Sequence, residues 1–256
     1  LENKEILSLT ENEIHIYNKN GKEVNRSSTI AELDSSMIHK GEYLHFMEKE
    51  IFEQPQAVQD TLLYACNKEN NKFSYTAFSM SEKNFRDITR IRVIACGSAY
   101  HAGYVLKSVC ESLARVPVQV ELASEFRYNH PILEDGEIVI GISQSGETAD
   151  TLAATKEAKK LGAKTLSIVN VNGSAIAGES DFVFYTQAGP EIAVATTKAY
   201  SCQLVAGYIF SLLLAKAKGK IGDEEARSLK DELFKLPGKI QQCLSLDSET
   251  LPMAKK

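Results

Sequence analysis

The chain has 256 residues, a formal net charge of −5 and a hydrophobic fraction of 43%. This is enough apolar material for one or two domains with a real core, while the acidic balance lacks the basic surface that nucleic-acid binding needs. The most apolar stretch, residues 204–217, is shorter than the roughly 20 residues that cross a bilayer. We therefore predict a globular protein with neither a nucleic-acid nor a membrane partner.

The cysteine pattern indicates reduced thiols. The cysteines are odd in number and widely spaced, and they lack the short paired spacings of zinc or redox motifs: Cys66, Cys96, Cys110, Cys202 and Cys243. The first residues also lack a basic segment followed by an apolar one, so they are not a secretion signal. We therefore predict a cytoplasmic protein with reduced thiols.

The first predicted element is a small β hairpin. Two short apolar alternations, at residues 6–9 and 13–17, are followed by the turn residues Asn18, Asn20 and Gly21. Because an isolated hairpin is only marginally stable in water, this one should pack on something else. Together with the missing initiator Met, it leads us to expect a fragment of a longer protein.

A polar connector follows the hairpin, over residues 25–90. It contains a helical stretch at residues 43–67 that breaks or starts again at Pro55, where proline suits a first helical turn. We expect one or two helices here that pack on the main domain.

The pattern changes at Ile91, where short apolar runs begin to alternate with helix-length amphipathic segments. We predict strands at residues 91–95, 118–121, 138–142, 165–169 and 182–185, and helices at 100–114, 148–161, 195–217 and 223–236, with shorter links at 124–128 and 174–176. The fold class is α/β, a five-stranded doubly wound parallel sheet. Ligands bind beyond the carboxyl ends of the strands in such sheets, which directs attention to the loops after the first, third and fifth strands.

The strongest functional signal follows the third of these strands. The strand leads into a helix through the cradle, residues 143–148, which reads Ser143-Gln144-Ser145-Gly146-Glu147-Thr148. Hydroxyls and free N–H groups at a helix N-terminus favour an anion such as phosphate, and Gly146 lets the backbone approach that anion closely. The alternative is that the serines and the threonine only cap the helix.

The loop after the first strand is a weaker signal. Ser98 stands at the predicted helix cap, with Cys96 and His101 beside it. A lone histidine is more often structural than a general base, and Cys96 fits a buried side chain better than a nucleophile.

The loop after the fifth strand carries a lysine in an unusual place. Lys198 follows Thr196 and Thr197 at the start of a helix, where a cation opposes the helix dipole. It could neutralise a substrate, pair with a carboxylate or be solvated. Glu147 and Glu191 could act as an acid/base pair, although helix capping or a subunit contact is the preferred interpretation.

Taken together, three segments resemble the motifs of the sugar isomerase (SIS) domain: residues 95–98, 143–151 and 191–199. More narrowly, with residues 43–55 and 124–128, they resemble the first of two SIS domains in the glutamine:fructose-6-phosphate aminotransferase family. The resemblance implies a flavodoxin-like sheet and a homodimer. It also implies four segments: a glutaminase-domain tail at 1–30, a linker and helical connector at 31–84, the SIS domain at 85–243, and a linker toward a missing second SIS domain at 244–256.

The resemblance also implies roles for individual residues. Four would bind the phosphate of a sugar phosphate and three would contact the sugar: Ser143, Gln144, Ser145 and Thr148, then Ser98, Val194 and Thr196. Where the family usually has a second hydroxyl residue this chain has Ala99, which implies one polar sugar contact fewer, and Thr196 stands where serine is frequent.

The whole enzyme of this family would pass ammonia from glutamine to fructose 6-phosphate and isomerise the product to glucosamine 6-phosphate. The resemblance places its catalytic groups outside this chain and implies a reaction that uses no metal and no cofactor. We therefore expect no catalytic residue here and an inactive fragment. Two alternatives are a stand-alone SIS sensor of a sugar phosphate and a deglycase-like SIS protein. The N-terminal hairpin argues against both, because it resembles the end of a glutaminase domain.

Overall fold

A computed structural model describes residues 4–26 and 39–254, apart from the side chains of Ser248, Leu251 and Pro252. The described residues form two compact units, a hairpin unit (residues 4–26) and a sheet unit (residues 39–254).

The hairpin unit contains two antiparallel strands. β1 (Ile6–Leu9) pairs with β2 (Ile14–Tyr17). After β2, the side-chain oxygen of Asn18 accepts the N–H groups of Asn20 and Lys22 and closes a turn. The predicted hairpin is therefore confirmed.

The sheet unit begins with helices rather than strands. These are α1 (Phe46–Phe52), α2 (Gln54–Ala65), a short 3-10 helix (Tyr75–Phe78) and α3 (Glu82–Asp87). Pro55 lies in the first turn of α2, as its fixed φ favours. The connector thus holds three α-helices in its described part, more than the one or two expected.

The sheet that follows has five parallel strands. They are β3 (Arg90–Ala95), β4 (Val118–Leu122), β5 (Glu137–Ser143), β6 (Lys164–Val169) and β7 (Phe182–Tyr185), in the order β4-β3-β5-β6-β7. This is the strand order of flavodoxin-like sheets, so the predicted fold class is confirmed.

Helices connect and follow these strands. They are α4 (Gly97–Leu113), α5 (Ala123–Tyr128), α6 (Ala149–Lys160), α7 (Ala175–Glu179), α8 (Lys198–Ala217), α9 (Asp223–Leu233), α10 (Leu236–Leu244) and α11 (Asp247–Ala254). The predicted helix at 223–236 is too long, since α9 ends at Leu233. Pro237, which was expected to follow the end of this helix, lies in the first turn of α10 instead.

Both faces of the central strand β5 are buried, which is why it reads as a nearly continuous apolar run. Successive residues of β5 enter different core clusters: Ile140 packs with residues of α4 and α8, and Val139 with residues of α5 and α6. In the described part of the chain, α8 alone is long and apolar enough to cross a membrane, and most of it is buried in this core.

Candidate functional site

The chain reverses its direction of winding between β3 and β5. These two strands are neighbours, but β4 lies on the outer side of β3 and β6 on the outer side of β5. Ala95 of β3 is opposite Ile142 of β5, so Cys96 and Ser143 come next at the same carboxyl edge of the sheet. A reversal of this kind opens a crevice at that edge, the general ligand position in doubly wound folds.

The cradle lies at this edge and is held by its own hydroxyls. The Ser143 and Thr148 hydroxyl oxygens are 2.9 Å apart, and Ser143 Oγ accepts the Gly146 N–H at 3.1 Å. Ser145 Oγ accepts the Glu147 N–H at 3.1 Å. The loop is therefore ordered before any ligand binds.

Capping does not account for these side chains. Thr148 is the N-cap residue of α6, yet its side chain makes no hydrogen bond to the first helical turn, and it contacts Ser143 instead. Ser145 bonds within the loop, two residues along the chain. The capping alternative is therefore wrong, and the N–H groups of this turn receive no side-chain cap from the described residues.

Gly146 is required by the local backbone and by close packing. Its φ is +67°, in the left-handed region that favours glycine. A Cβ at this position would lie 2.0 Å from Ser174 Oγ and 2.5 Å from Ser174 Cβ. The Gly146 carbonyl also accepts the Ile176 N–H at 2.9 Å, so the cradle is packed against the start of α7.

Asn170, which no sequence motif indicated, links the cradle to the β7 loop (residues 186–197). Its backbone N–H donates to the Gln144 carbonyl at 3.0 Å. Its side chain donates to the Gly189 carbonyl at 2.8 Å and accepts from the Ala188 N–H and the Thr186 hydroxyl at 3.0 and 3.1 Å. The available signal was its position directly after a strand, at the carboxyl edge of the sheet.

The two loop carboxylates hold helix starts and do not meet as an acid/base pair. Glu147 Oε1 accepts the Ala175 N–H at 2.8 Å, at the beginning of α7. Glu191 Oε1 accepts the N–H groups of Thr197 and Ala199, at the beginning of α8. The preferred interpretation, helix capping, is confirmed for both carboxylates.

Lys198 is paired with a carboxylate. Its ammonium donates to Glu53 Oε2 at 2.7 Å, and its side chain is only 5% exposed. The pair explains a cation at a helix N-terminus, and it removes Lys198 as a free counter-ion for a substrate. Two more side chains near the α1–α2 junction reach the same region: Glu50 Oε1 accepts the Ile192 N–H at 2.6 Å, and Gln54 Oε1 accepts the Ser201 hydroxyl at 2.6 Å.

The three residues assigned to the sugar are exposed or half-buried, one of them in α4 and two in the β7 loop. Ser98 is exposed in the first turn of α4, and the predicted cap position is wrong because Cys96 is the N-cap residue. Val194 is fully exposed. The Thr196 hydroxyl donates to Glu191 Oε2 at 2.8 Å, which leaves its oxygen able to accept another hydrogen bond.

The remaining candidates do not form a catalytic group. His101 is exposed on α4, with its ring against that of Tyr100. Burial raises the pKa of the Cys110 and Cys202 thiols to about 12. Among the described residues, no group of three or more His, Cys, Asp or Glu side chains is placed to hold a metal ion.

A match to a family model shows which family the chain belongs to. The model of the SIS domain matches residues 84–213, more than half of the 256 residues. The chain belongs to the SIS domain family. The matched range contains the cradle and the β7 loop, and the SIS resemblance drawn from the sequence motifs is confirmed.

Two curated relatives of this SIS chain carry the same name. Glutamine–fructose-6-phosphate aminotransferase [isomerizing] of Clostridium tetani is 44% identical over 256 residues, which is 100% of this chain and 42% of the relative. The protein of the same name from Mycolicibacterium smegmatis is 48% identical over 213 residues, 83% of this chain and 33% of the relative. The chain thus spans less than half the length of these curated relatives.

A solved structure gives the same result for the fold. The C-terminal domain of glucosamine-fructose-6-phosphate aminotransferase from Francisella tularensis superposes with a TM-score of 0.79 at 40% identity, over 82% of this chain and 59% of that one. The fold of the SIS domain is therefore shared with a domain of an aminotransferase.

Proposed function

We propose that this SIS domain binds a sugar phosphate at the carboxyl edge of its sheet, with the phosphate in the cradle. The observation that carries the proposal is the start of α6. There a helix N-terminus without a side-chain cap follows a loop of hydroxyl side chains. Backbone N–H groups and the helix dipole stabilise an anion at such a position.

The phosphate would be bound by hydrogen bonds rather than by an ion pair. Ser143, Gln144, Ser145 and Thr148 supply the side chains, and Lys198 does not take part because Glu53 holds its ammonium. Ser98, Val194 and Thr196 would then contact the sugar from the loops on either side. We assign these residues to binding and none of them to catalysis.

The names of the relatives support a narrower ligand. Proteins that are 44% and 48% identical to this chain are named for fructose 6-phosphate, so we propose fructose 6-phosphate, or its amination product glucosamine 6-phosphate, as the ligand. The whole protein would transfer ammonia from glutamine to this sugar and isomerise the product. We further propose that it is a cytoplasmic homodimer whose glutaminase and second SIS domains flank this chain, and that the domain boundaries follow the segments stated above.

Ligand-dependent melting and titration calorimetry test the proposal. Fructose 6-phosphate should raise the melting temperature of the chain and release or absorb binding heat, because a ligand that binds only the folded state stabilises it. Fructose at the same concentration should not, since it lacks the phosphate. If both sugars have equal effects, the phosphate site is refuted. If neither sugar has an effect, the proposed function is refuted.

A further inference from the structure

Glu50 reaches the candidate site from a distant part of the sequence. It lies in α1, is only 2% exposed, and its Oε1 accepts the backbone N–H groups of Ile192 and Ala193 at 2.6 and 3.1 Å. These two residues immediately precede Val194, which is assigned to the sugar. A single carboxylate oxygen therefore fixes the backbone that leads into the sugar contact.

The other end of the same segment is held by a second carboxylate. Glu191 accepts the Thr196 hydroxyl at 2.8 Å and the Thr197 N–H at 2.9 Å. Residues 192–197 are thus suspended between Glu50 and Glu191, with Val194 exposed between the two attachments.

Two further contacts fix the α1–α2 junction against the start of α8. Glu53 receives the Lys198 ammonium at 2.7 Å, and Gln54 accepts the Ser201 hydroxyl at 2.6 Å. Glu50 is therefore attached to an element that is itself tied to the helix following the segment. The segment cannot shift relative to α8 without straining these contacts.

The burial of the Glu50 carboxylate is energetically unfavourable, and holding a surface loop does not require it. Its second oxygen, Oε2, is buried and has no hydrogen-bond partner among the described residues. Burying an unpartnered carboxylate oxygen is unfavourable, whereas the segment that Glu50 holds contains exposed residues whose N–H groups water could satisfy. The arrangement gives up stability for one defined backbone position.

We propose that Glu50 is a positioning residue for the sugar-phosphate site, fixing residues 192–196 so that Val194 and Thr196 meet the sugar. This inference rests on the proposed function. Glu50 acts through the two N–H groups and does not touch the ligand. Its removal should therefore free the loop and weaken binding without abolishing the fold.

The experiment compares Glu50→Ala and Glu50→Gln with the unmodified chain. Amide hydrogen exchange reports the loop, and calorimetry with fructose 6-phosphate reports the site. Glu50→Ala should speed exchange at Ile192 and Ala193 and weaken affinity roughly tenfold, because the ligand must then order a loop that Glu50 holds in the unmodified chain. Glu50→Gln keeps a carbonyl acceptor and should restore most of both.

Asp181→Ala is the matched control. Asp181 Oδ2 also accepts a backbone N–H, from Thr165 at 2.9 Å, together with the Thr165 hydroxyl at 3.0 Å. This contact lies where β6 begins, at the opposite edge of the sheet. The control should lower the melting temperature and leave the affinity for fructose 6-phosphate unchanged.

The possible failures are distinguishable. If the unmodified chain does not bind fructose 6-phosphate, the proposed function fails. If it binds and folded Glu50→Ala binds equally well, the positioning role is overturned, whether or not exchange at Ile192 changes. An equal loss of affinity in Asp181→Ala would show a general effect of stability and would also overturn it.

Discussion

The backbone N–H of Asn170 donates to the carbonyl of Gln144 at 3.0 Å, and this bond joins the ends of two neighbouring strands. The side chain of Asn170 continues the connection to the β7 loop through three hydrogen bonds. The phosphate and sugar parts of the proposed site are therefore coupled through one residue that belongs to neither.

Asn170→Ala should lower the stability of the chain and also weaken sugar-phosphate binding. It removes the three side-chain hydrogen bonds to the β7 loop but keeps the backbone bond to Gln144. Each such bond contributes about 0.5–1.5 kcal/mol, so the β7 loop should loosen and affinity for fructose 6-phosphate should fall about tenfold. Calorimetry on the purified variant measures the change.

Asn172→Ala is the control for this substitution, because Asn172 is an exposed asparagine two residues further along the same loop. Its affinity should match that of the unmodified chain. If the two variants lose the same affinity, the effect belongs to the loop composition and not to the contacts of Asn170.

Gly146→Ala should destabilise the fold and abolish binding. The new Cβ would strain a residue at φ +67° and lie 2.0 Å from Ser174 Oγ. Gly162→Ala separates the two causes, since Gly162 has φ +89° with nothing within 4 Å of the added atom. We expect about 1 kcal/mol of destabilisation for Gly162→Ala from strain alone, and a larger loss for Gly146→Ala in urea unfolding.

Ser174→Gly should partly rescue Gly146→Ala, because both close contacts of the new Cβ are with the Ser174 side chain. The next nearest atom, Val169 Cγ1, lies at an ordinary distance of 3.5 Å. If the double variant is no more stable than Gly146→Ala, the close approach to Ser174 does not explain why glycine stands here.

The sequence predicted the sheet well because each strand is marked by its own short run of residues. The observed strands start or end within one residue of their predicted limits, as in β5, where the predicted 138–142 becomes Glu137–Ser143. The central strand β5 is an apolar run buried along its whole length, and the turn residue Gly136 precedes it.

The helix starts and the supports of the site could not be predicted in the same way. α8 begins at Lys198 rather than at Ala195, because the Glu191 carboxylate accepts N–H groups there and sets the first turn. Glu50 is 142 residues away from Ile192 in the sequence. Local sequence patterns carry no information about a contact over that separation. The loop at residues 143–148 could therefore be predicted, whereas the contacts of Glu50 could not.

The buried thiols should resist alkylation in the folded chain. Burial raises the pKa of Cys110 and Cys202 to about 12, and a thiol reacts as its thiolate. At pH 9 only about one in a thousand of these groups would be ionised, so raising the pH from 7 to 9 should not make them reactive. Exposed Cys243 should react first.

Timed alkylation with iodoacetamide, followed by peptide mass spectrometry, measures each site. The same reaction in concentrated guanidinium chloride is the control, and there all five cysteines should be modified. Modification of Cys110 at the rate of Cys243 in the folded protein would contradict the burial of the Cys110 thiol in the core between α4 and α8.

Ser145→Ala tests the cradle most directly. The Ser145 oxygen accepts the Glu147 N–H, and its hydroxyl hydrogen remains available for a phosphate oxygen. Losing a hydrogen bond to a charged group costs about 1.5–3 kcal/mol, so affinity for fructose 6-phosphate should fall roughly ten- to a hundredfold. Stability should fall by only about 1 kcal/mol, the contribution of a neutral hydrogen bond within the loop.

Ser74→Ala is a closely matched control for Ser145→Ala. Ser74 Oγ also accepts the N–H of the residue two positions along, Thr76, at 3.2 Å, and it is likewise half-buried. Ser74→Ala should lose at least as much stability, because Ser74 Oγ also bonds the Thr76 hydroxyl at 2.6 Å. Its affinity for fructose 6-phosphate should stay unchanged, since Ser74 lies before the 3-10 helix and not in the cradle. Calorimetry and thermal melting of both variants separate the two effects. A folded Ser145→Ala variant with unchanged affinity would mean that the phosphate does not bind at this hydroxyl, because removing a hydroxyl that contacts the ligand must lower the affinity.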